Sequence, residues 1–383
     1  VHILVVAEDQ PGERRVALTP EAVSKLVGDG HVVTVERGAG QGIAAADDDY
    51  RSAGAAIDGR AEGLDEAELI LSISQNGVGG LAGLGPSHTL AALLDPLWRP
   101  QCVAELAASG ASALSLELVP RISRAQSMDV LSSMATVAGY QAVLLAAVRL
   151  PRMFPMMMTA AGTVPPTRVV VLGAGVAGLQ AIATARRLGA VVQGYDVRPA
   201  AAEQIESLGA KAIDLDLADG PGEDPGGARE DAGGYATAQD ADEQQRRRQA
   251  LAPHLAAADV VITTAAVPGA AAPTLIDAEA VGRMQPGTLI VDLAAARGGN
   301  CALTRPDDEV VHEGVVVLGP TQLESGSART ASRMFANNLV SLIGHLADDD
   351  ASLLIDPDDE ISGAMLVTHG GEVVHSGVKE ALA

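Results

Sequence analysis

Short apolar runs alternate with longer amphipathic stretches along most of the chain. Residues 2–7 form an apolar strand-like run. Thr19-Pro20-Glu21 then supplies an N-cap residue, a proline at the first helical position and an early acid, so a helix is predicted there. Residues 31–36 (HVVTVE) alternate as a half-buried strand does, and 69–73 and 113–116 read as further strands. A helix-like stretch covers 127–150. Beyond it the strand–helix alternation returns, with strands predicted at 168–172, 190–195, 259–263, 288–292 and 315–318. Such alternation argues for parallel sheets in an α/β fold. Residues 327–346 have an amphipathic helical pattern and are expected to return the chain to its first domain. That reading gives an N-terminal domain of 1–133 with 326–383, and a second domain of 134–325.

One segment breaks the pattern. Residues 216–248 are rich in Gly, Asp, Glu and Gln and poor in apolar side chains. Alone they cannot bury enough surface to fold tightly. Tyr235, set between Gly234 and Ala236, suggests a mobile loop that closes over a ligand rather than a plain linker.

Composition narrows the function. The chain has 383 residues, of which 48% are apolar and only 2% aromatic. A sizeable core is available, whereas a run of aromatics for stacking bases is not. Lys plus Arg total 26 against 49 Asp plus Glu, a net charge of −23, which opposes nucleic acid and anionic lipid. With three lysines and acidic clusters such as Asp47-Asp48-Asp49, the surface resembles that of a protein adapted to high salt. Dialysis into low salt should then cost helicity, and indifference to salt would return the acidity to ordinary codon bias. Cys102 and Cys301 are too few for a disulfide framework, which fits a reducing cytoplasmic setting. No signal-peptide pattern and no run of 18 apolar residues is found, so any membrane role is expected to come through a partner.

The clearest chemical motif is VVVLGAGVAGLQAIATARRLGA, residues 169–190. A buried strand runs into Gly173-Ala174-Gly175-Val176-Ala177-Gly178 and on into a helix. Gly173 permits the turn, Gly175 lets a pyrophosphate approach the backbone, and Gly178 allows close helix–strand packing. The helix N-terminus adds N–H donors and positive dipole. Asp196 ends the next strand, where an acid is expected on the adenosine ribose. It favours NAD(H) over NADP(H), although Arg198 nearby could accept a 2′-phosphate. The expected architecture is two Rossmann-like domains with parallel sheets around a cleft.

A second polar run, RISRAQSMDVLSS (121–133), has the look of a capped helix start. With PMMMTAAGTVPP (155–166), the Gly-rich turn, AGGYA (232–236), TTAAVPG (263–269), VDLAA (291–295), GGN (298–300) and PGERRVALTPEAVSKLVGDGHVV near the N-terminus, it resembles a known family. That family is the soluble NAD(H)-binding alpha subunit (domain I) of proton-translocating NAD(P) transhydrogenase, within the alanine dehydrogenase/transhydrogenase superfamily.

The resemblance implies that Arg121, Gln126, Asp129 and Ser132 hold the nicotinamide end. Gly173, Gly175, Val176, Ala177 and Gly178 would hold the pyrophosphate, and Asp196, Val197 and Arg198 the adenosine. Gly234 and Tyr235 would belong to the mobile loop, and Thr264 and Ala266 would line the cofactor site. It implies a Si–Re-specific hydride transfer with no acid or base residue and no metal. It also implies NADP(H) on a partner subunit, a separate membrane subunit conducting protons, and a homodimer at the inner face of the cell membrane.

The alternatives are an alanine-type amino-acid dehydrogenase and a non-catalytic NAD(H)-sensing module. For the first, Arg15 matches an expected arginine, but the lysine and histidine positions fall near Ser74 and Leu94. Lysine is absent between Lys25 and Lys211, and His88 sits at the start of its strand. Deamination needs positioned acid–base groups, whereas transhydrogenation needs proximity and orientation. Two stretches depart from the family: Gly269-Ala270-Ala271-Ala272-Pro273 lacks the usual basic residue, and GPTQLESGSART (319–330) carries Gln322 and Glu324. The remaining histidines and Met156-Met157-Met158 read as packing and surface residues.

Overall fold

The computed structural model describes residues 1–74, 83–215, 241–267, 269–348 and 351–383. The chain divides into two compact units, Val1–Met134 with Glu324–Ala383, and Ala135–Leu323. The strands are β1 His2–Val5, β2 Val32–Glu36, β3 Ala56–Asp58, β4 Leu69–Ser74, β5 Thr89–Leu93 and β6 Ser112–Ser115. They continue with β7 Met157–Thr159, β8 Gly162–Val164, β9 Arg168–Leu172, β10 Val191–Tyr195, β11 Lys211–Ala212 and β12 Val260–Thr263. The last are β13 Leu289–Asp292, β14 Glu309–His312, β15 Val315–Leu318, β16 Leu366–His369 and β17 Glu372–Val373.

Among the described residues, the first unit holds a sheet of order β17-β16-β6-β5-β4-β1-β2-β3. Its strands are parallel except β16, which runs antiparallel to both β6 and β17. The second unit holds a sheet of order β11-β10-β9-β12-β13-β15-β14, parallel except for the β14–β15 pair. A separate hairpin, β7–β8, completes it. The fold is α/β with two parallel-rich sheets, as the alternation predicts. The predicted strands leave out β3, β5, β11, β14, β16, β17 and the β7–β8 hairpin, most of which are short.

In the second unit, alternate side chains of β9 feed two cores. Val169 and Val171 pack with Ala181, Ile182 and Ile262, whereas Val170 and Leu172 pack with Leu251, Leu255 and Ile290. A strand buried on both faces reads as a continuous apolar run, which is why VVVL was so plain. In the first unit Leu4, Val6, Ile70 and Leu90 form a core with Val103 and Leu106.

Several helices differ from expectation in detail. Thr19 takes the N-cap backbone position before Pro20–Gly28, but its side chain makes no capping bond. The predicted 127–150 helix is a 3₁₀ turn, Ser123–Met128, followed by an α-helix, Val130–Arg149. That helix does meet the length and composition of a bilayer span, with mean hydropathy 1.5, and it is partly buried inside the molecule. It lacks an uninterrupted apolar run because Ser, Gly and Gln break it, and Ala142, Val143 and Ala146 lie in the core of the second unit. Residues 241–248, expected in a loop, start the helix Ala241–Ala256. The rest of that expected loop, with Gly234 and Tyr235, lies outside the described residues.

Candidate dinucleotide site

The turn after β9 is built from its glycines. Gly173 has φ +99°, a left-handed conformation that favours glycine, and its N–H donates to the Tyr195 carbonyl at 2.8 Å. A Cβ on Gly173 would stand 2.5 Å from Thr264 Oγ1. A Cβ on Gly178 would stand 1.8 Å from the Gly173 carbonyl oxygen, so only glycine fits. Gly175 is different: a Cβ there would meet nothing within 4 Å. Its absent side chain therefore serves no packing need within the chain and leaves room outside the turn.

Gly175 is the N-cap of the helix Val176–Arg187 and offers no capping side chain. Gly175 and Val176 are exposed. The first N–H groups of a helix lack intrahelical acceptors, so this end presents donors and positive dipole to an anion. Space at Gly175 beside uncapped donors fits a pyrophosphate.

Asp196 lies at the end of β10 and takes four donors. Its Oδ2 accepts from Ala174 N–H at 2.7 Å and from Arg198 Nη2 at 3.1 Å. Its Oδ1 accepts from the Arg198 backbone N–H and Nε, both at 2.9 Å. Burial alone would raise its carboxyl, but the Arg198 side chain and the Ala174 and Arg198 N–H groups outweigh burial and hold it below the usual range. Val197 packs at the edge of the core beneath. The sequence missed a further layer: Arg247 donates to the Tyr195 hydroxyl at 2.8 Å and pairs with Glu243.

The opposite wall is the loop after β12. Thr264 N–H donates to Leu172 O at 2.8 Å, and its hydroxyl to Gly173 O at 3.2 Å. Ala265 and Ala266 follow. Asn300, fully buried, accepts from Ala265 N–H at 3.0 Å and donates through Nδ2 to Ala265 O at 2.9 Å and Pro273 O at 2.8 Å. It fixes the backbone between Thr264 and Ala266, and GGN (298–300) was its one trace in the sequence. The structure thus brings together Gly173 to Gly178, Asp196, Val197, Arg198 and Thr264, with Ala266 on the same loop.

The 121–132 run belongs to the first unit. Asp129 caps the helix Val130–Arg149: its Oδ1 accepts from Ser132 N–H at 2.9 Å and its Oδ2 from the Ser132 hydroxyl at 2.6 Å. Arg121 and Gln126 are exposed on the preceding turn, which Asn338 Nδ2 holds through Ser127 O at 2.7 Å.

The positions an amino-acid dehydrogenase would need are occupied otherwise. Arg15 is buried and donates through Nε and Nη2 to the two Glu13 oxygens, at 2.8 and 2.5 Å. Glu8 accepts from Ile73 N–H at 2.6 Å and Ser72 Oγ at 2.8 Å, beside Ser74. Burial pushes the Glu8 carboxyl up to about 7. Leu94 is a core residue. Among the described residues, no cluster of His, Cys, Asp or Glu could hold a metal.

Comparison with known proteins places this geometry. The alanine dehydrogenase/PNT C-terminal domain model matches residues 142–376, and the N-terminal domain model matches 4–138. An NAD(P) transhydrogenase subunit alpha of Rhodospirillum rubrum is 44% identical over 97% of each chain. The alanine dehydrogenase of Halomonas elongata is 30% identical over 99% of this chain and 96% of its own. The crystal structure of transhydrogenase from Sinorhizobium meliloti superposes with a TM-score of 0.83, at 40% identity, covering 98% of this chain and 99% of that one. An L-alanine dehydrogenase reaches 0.78 at 24% identity, over 99% of both chains, a likeness of fold alone.

Proposed function

The chain belongs to the alanine dehydrogenase/PNT family, among its transhydrogenase alpha subunits, and from that premise we propose that it is the NAD(H)-binding subunit of a proton-translocating NAD(P) transhydrogenase. The observation that carries the reading is the turn at Gly173–Gly178, with open space at Gly175 and an uncapped helix end. In this reading the N–H groups of Val176, Ala177 and Gly178 bind the pyrophosphate. Asp196 and Arg198 receive the adenosine ribose, and Thr264 and Ala266 line the same site. Arg121, Gln126, Asp129 and Ser132 orient the nicotinamide end, and Gly234 and Tyr235 close over it.

Bound NAD(H) would supply a nicotinamide carbon that gives or takes hydride. This chain's residues orient it and exclude water; none is asked to move a proton. The engagement of Arg15 by Glu13, together with Ser74 and Leu94 in place of Lys and His, speaks against an amino-acid dehydrogenase. The partners in this proposal are an NADP(H)-binding subunit and a separate proton-conducting membrane subunit, with the chain held at the cytoplasmic membrane face through them. Hydride would pass with Si–Re stereochemistry. A homodimer is part of the reading, supported by the β7–β8 hairpin, where Met156, Met158 and Val164 are 60%, 74% and 43% exposed.

The test is reconstitution in high salt. The chain is mixed with NADH, an acetylpyridine analogue of NAD⁺ and an isolated NADP(H)-binding subunit. Reduction of the analogue that needs both proteins, and that fails with Gln126→Asn or Asp129→Asn, is the expected result. NADH binding without transfer to a competent partner rejects the transhydrogenase reading and leaves the sensing module. Turnover of an amino acid with NAD⁺ by the chain alone would establish the dehydrogenase instead.

A further inference from the structure

The sequence motif assigns Asp196 to the adenosine ribose, yet in the structure its carboxylate has no acceptor position left. A carboxylate offers about four lone-pair sites. Here Ala174 N–H, Arg198 N–H, Arg198 Nε and Arg198 Nη2 take them. Two of these donors are backbone groups, one in the Gly-rich turn and one just beyond β10. Neither can leave without moving the chain. The other two belong to one side chain, Arg198, which is 20% exposed, so turning that one side chain would free both positions. A ribose hydroxyl that donates to Asp196 must therefore displace the Arg198 guanidinium.

We propose that Arg198 is a specificity-determining residue that competes with the adenosine ribose for Asp196, so that selection between NAD(H) and NADP(H) is a property of the Asp196–Arg198 pair and not of the acid alone. The inference rests on the dinucleotide-binding reading of this site. Its physical content is an exchange. Binding NAD(H) replaces charge-assisted bonds from Arg198 with bonds from neutral hydroxyls, so the arginine weakens the ligand it flanks. The acid repels a 2′-phosphate and also holds the Arg198 guanidinium turned onto itself. Removing the acid does two things at once: it takes away the repulsion and releases a planar cation suited to a phosphate dianion. Removing the arginine leaves the acid open to the ribose.

The test measures NADH and NADPH dissociation constants for the wild-type chain, Arg198→Met, Asp196→Ala and the double variant, in high salt. Arg198→Met should tighten NADH binding about threefold to tenfold, the size of a lost charge-assisted competitor. Asp196→Ala should weaken NADH and tighten NADPH about tenfold or more, and the double variant should keep only the smaller part of that gain that comes from lost repulsion. Asp196→Asn keeps an oxygen for the Ala174 N–H, and serves where Asp196→Ala fails to fold by circular dichroism. It should show the same NADPH gain, smaller in size. NADH binding that is unchanged or weaker in Arg198→Met, or an NADPH gain that is undiminished in the double variant, overturns the proposal while the dinucleotide site stands. Wild-type chain that binds neither nucleotide removes the site and the proposal together.

Discussion

Both sheets of this protein contain the same strand order, and their crevices have opposite chemistry. In the first unit the parallel strands run β3-β2-β1-β4-β5-β6, and in the second β11-β10-β9-β12-β13-β15. Each reverses between its first and fourth strands, the place where open α/β sheets bind ligands. Each also ends its second strand with an acid that accepts an N–H from the turn after the first strand. Glu36 accepts from Ala7 N–H at 2.7 Å, and Asp196 from Ala174 N–H at 2.7 Å. Each acid carries an arginine, Arg60 on Glu36 and Arg198 on Asp196. The turns themselves diverge. After β9 come glycines and bare helix donors; after β1 come Glu8, Asp9 and Glu13, with Glu8 already bonded to Ile73 N–H in β4. The acid at the second strand is thus a device for holding a turn. The glycines, by contrast, leave open space and bare N–H donors at one crevice, and carboxylates take the same place at the other.

The comparison can be broken most sharply at the glycines. Gly175→Ala should fold normally, because its φ of −73° suits any residue and its Cβ meets nothing. NADH binding should fall about 100-fold, equivalent to about 2.7 kcal/mol. A titration that finds alanine tolerated would show that no pyrophosphate approaches there. Gly178→Ala, with its Cβ 1.8 Å from Gly173 O, should instead lower the melting temperature as well.

The next largest effect lies in the first unit. Glu13→Gln removes the carboxylate hydrogen-bonded to the buried Arg15 and should cost about 3–5 kcal/mol in denaturant unfolding, with NADH affinity unchanged in the folded fraction. Loss of NADH affinity there would mean that the acidic crevice is not closed to nucleotide after all.

A smaller effect separates the acids by pH. Glu8, raised to about 7 from an ordinary 4.5, binds a proton in the folded state that the unfolded chain releases. Its contribution to stability is complete below about 4.5 and is lost as pH rises through about 7. Glu117 and Glu324, raised by burial, act in the same sense. His31 and His375, lowered by burial, act in the opposite one. Asp196, held low by Arg198 and the turn N–H groups against its burial, loses its contribution only in acid. The readout is therefore a difference: between pH 5.5 and 8 the melting temperature of Glu8→Gln should fall less than that of the wild type. Parallel profiles would remove Glu8 from the account.

The smallest effect is expected at Asp259, which joins Arg152 and Arg168 far from either crevice's chemistry. Both arginines are about half exposed, so Asp259→Asn should cost about 1 kcal/mol or less, with nucleotide affinity unchanged.

What could be read from the sequence depended on how local the cause was. The Gly-rich turn was legible because strand, turn and helix sit within one short stretch and each glycine has a steric reason. The 121–133 run was legible as a capped helix start from its own neighbourhood, and the structure shows a capping bond from Ser132 N–H to Asp129. Asn300 was not, because its partners Ala265 and Pro273 lie far away in sequence. The Tyr195–Arg247 contact is equally remote. Among strands, β5 (TLAAL) lacks β-branched residues beyond Thr89, and β16 takes its place only by pairing antiparallel with β6. The occupied state of Asp196 was hidden in plain view: Arg198 is two residues away, but which way its side chain turns is a matter of geometry.

The two units also differ in when they can be completed. The second is continuous, whereas the first draws β16 and the helix Ala328–Leu346, with its buried Phe335, from the chain that follows. On a ribosome adding about 5–20 residues per second, the second unit emerges whole while the N-terminal sheet still has a bare edge at β6. For those seconds the older half of the chain waits for the youngest. A pause or premature stop within the last stretch would leave a folded, glycine-turned unit attached to an N-terminal half that aggregates through that edge.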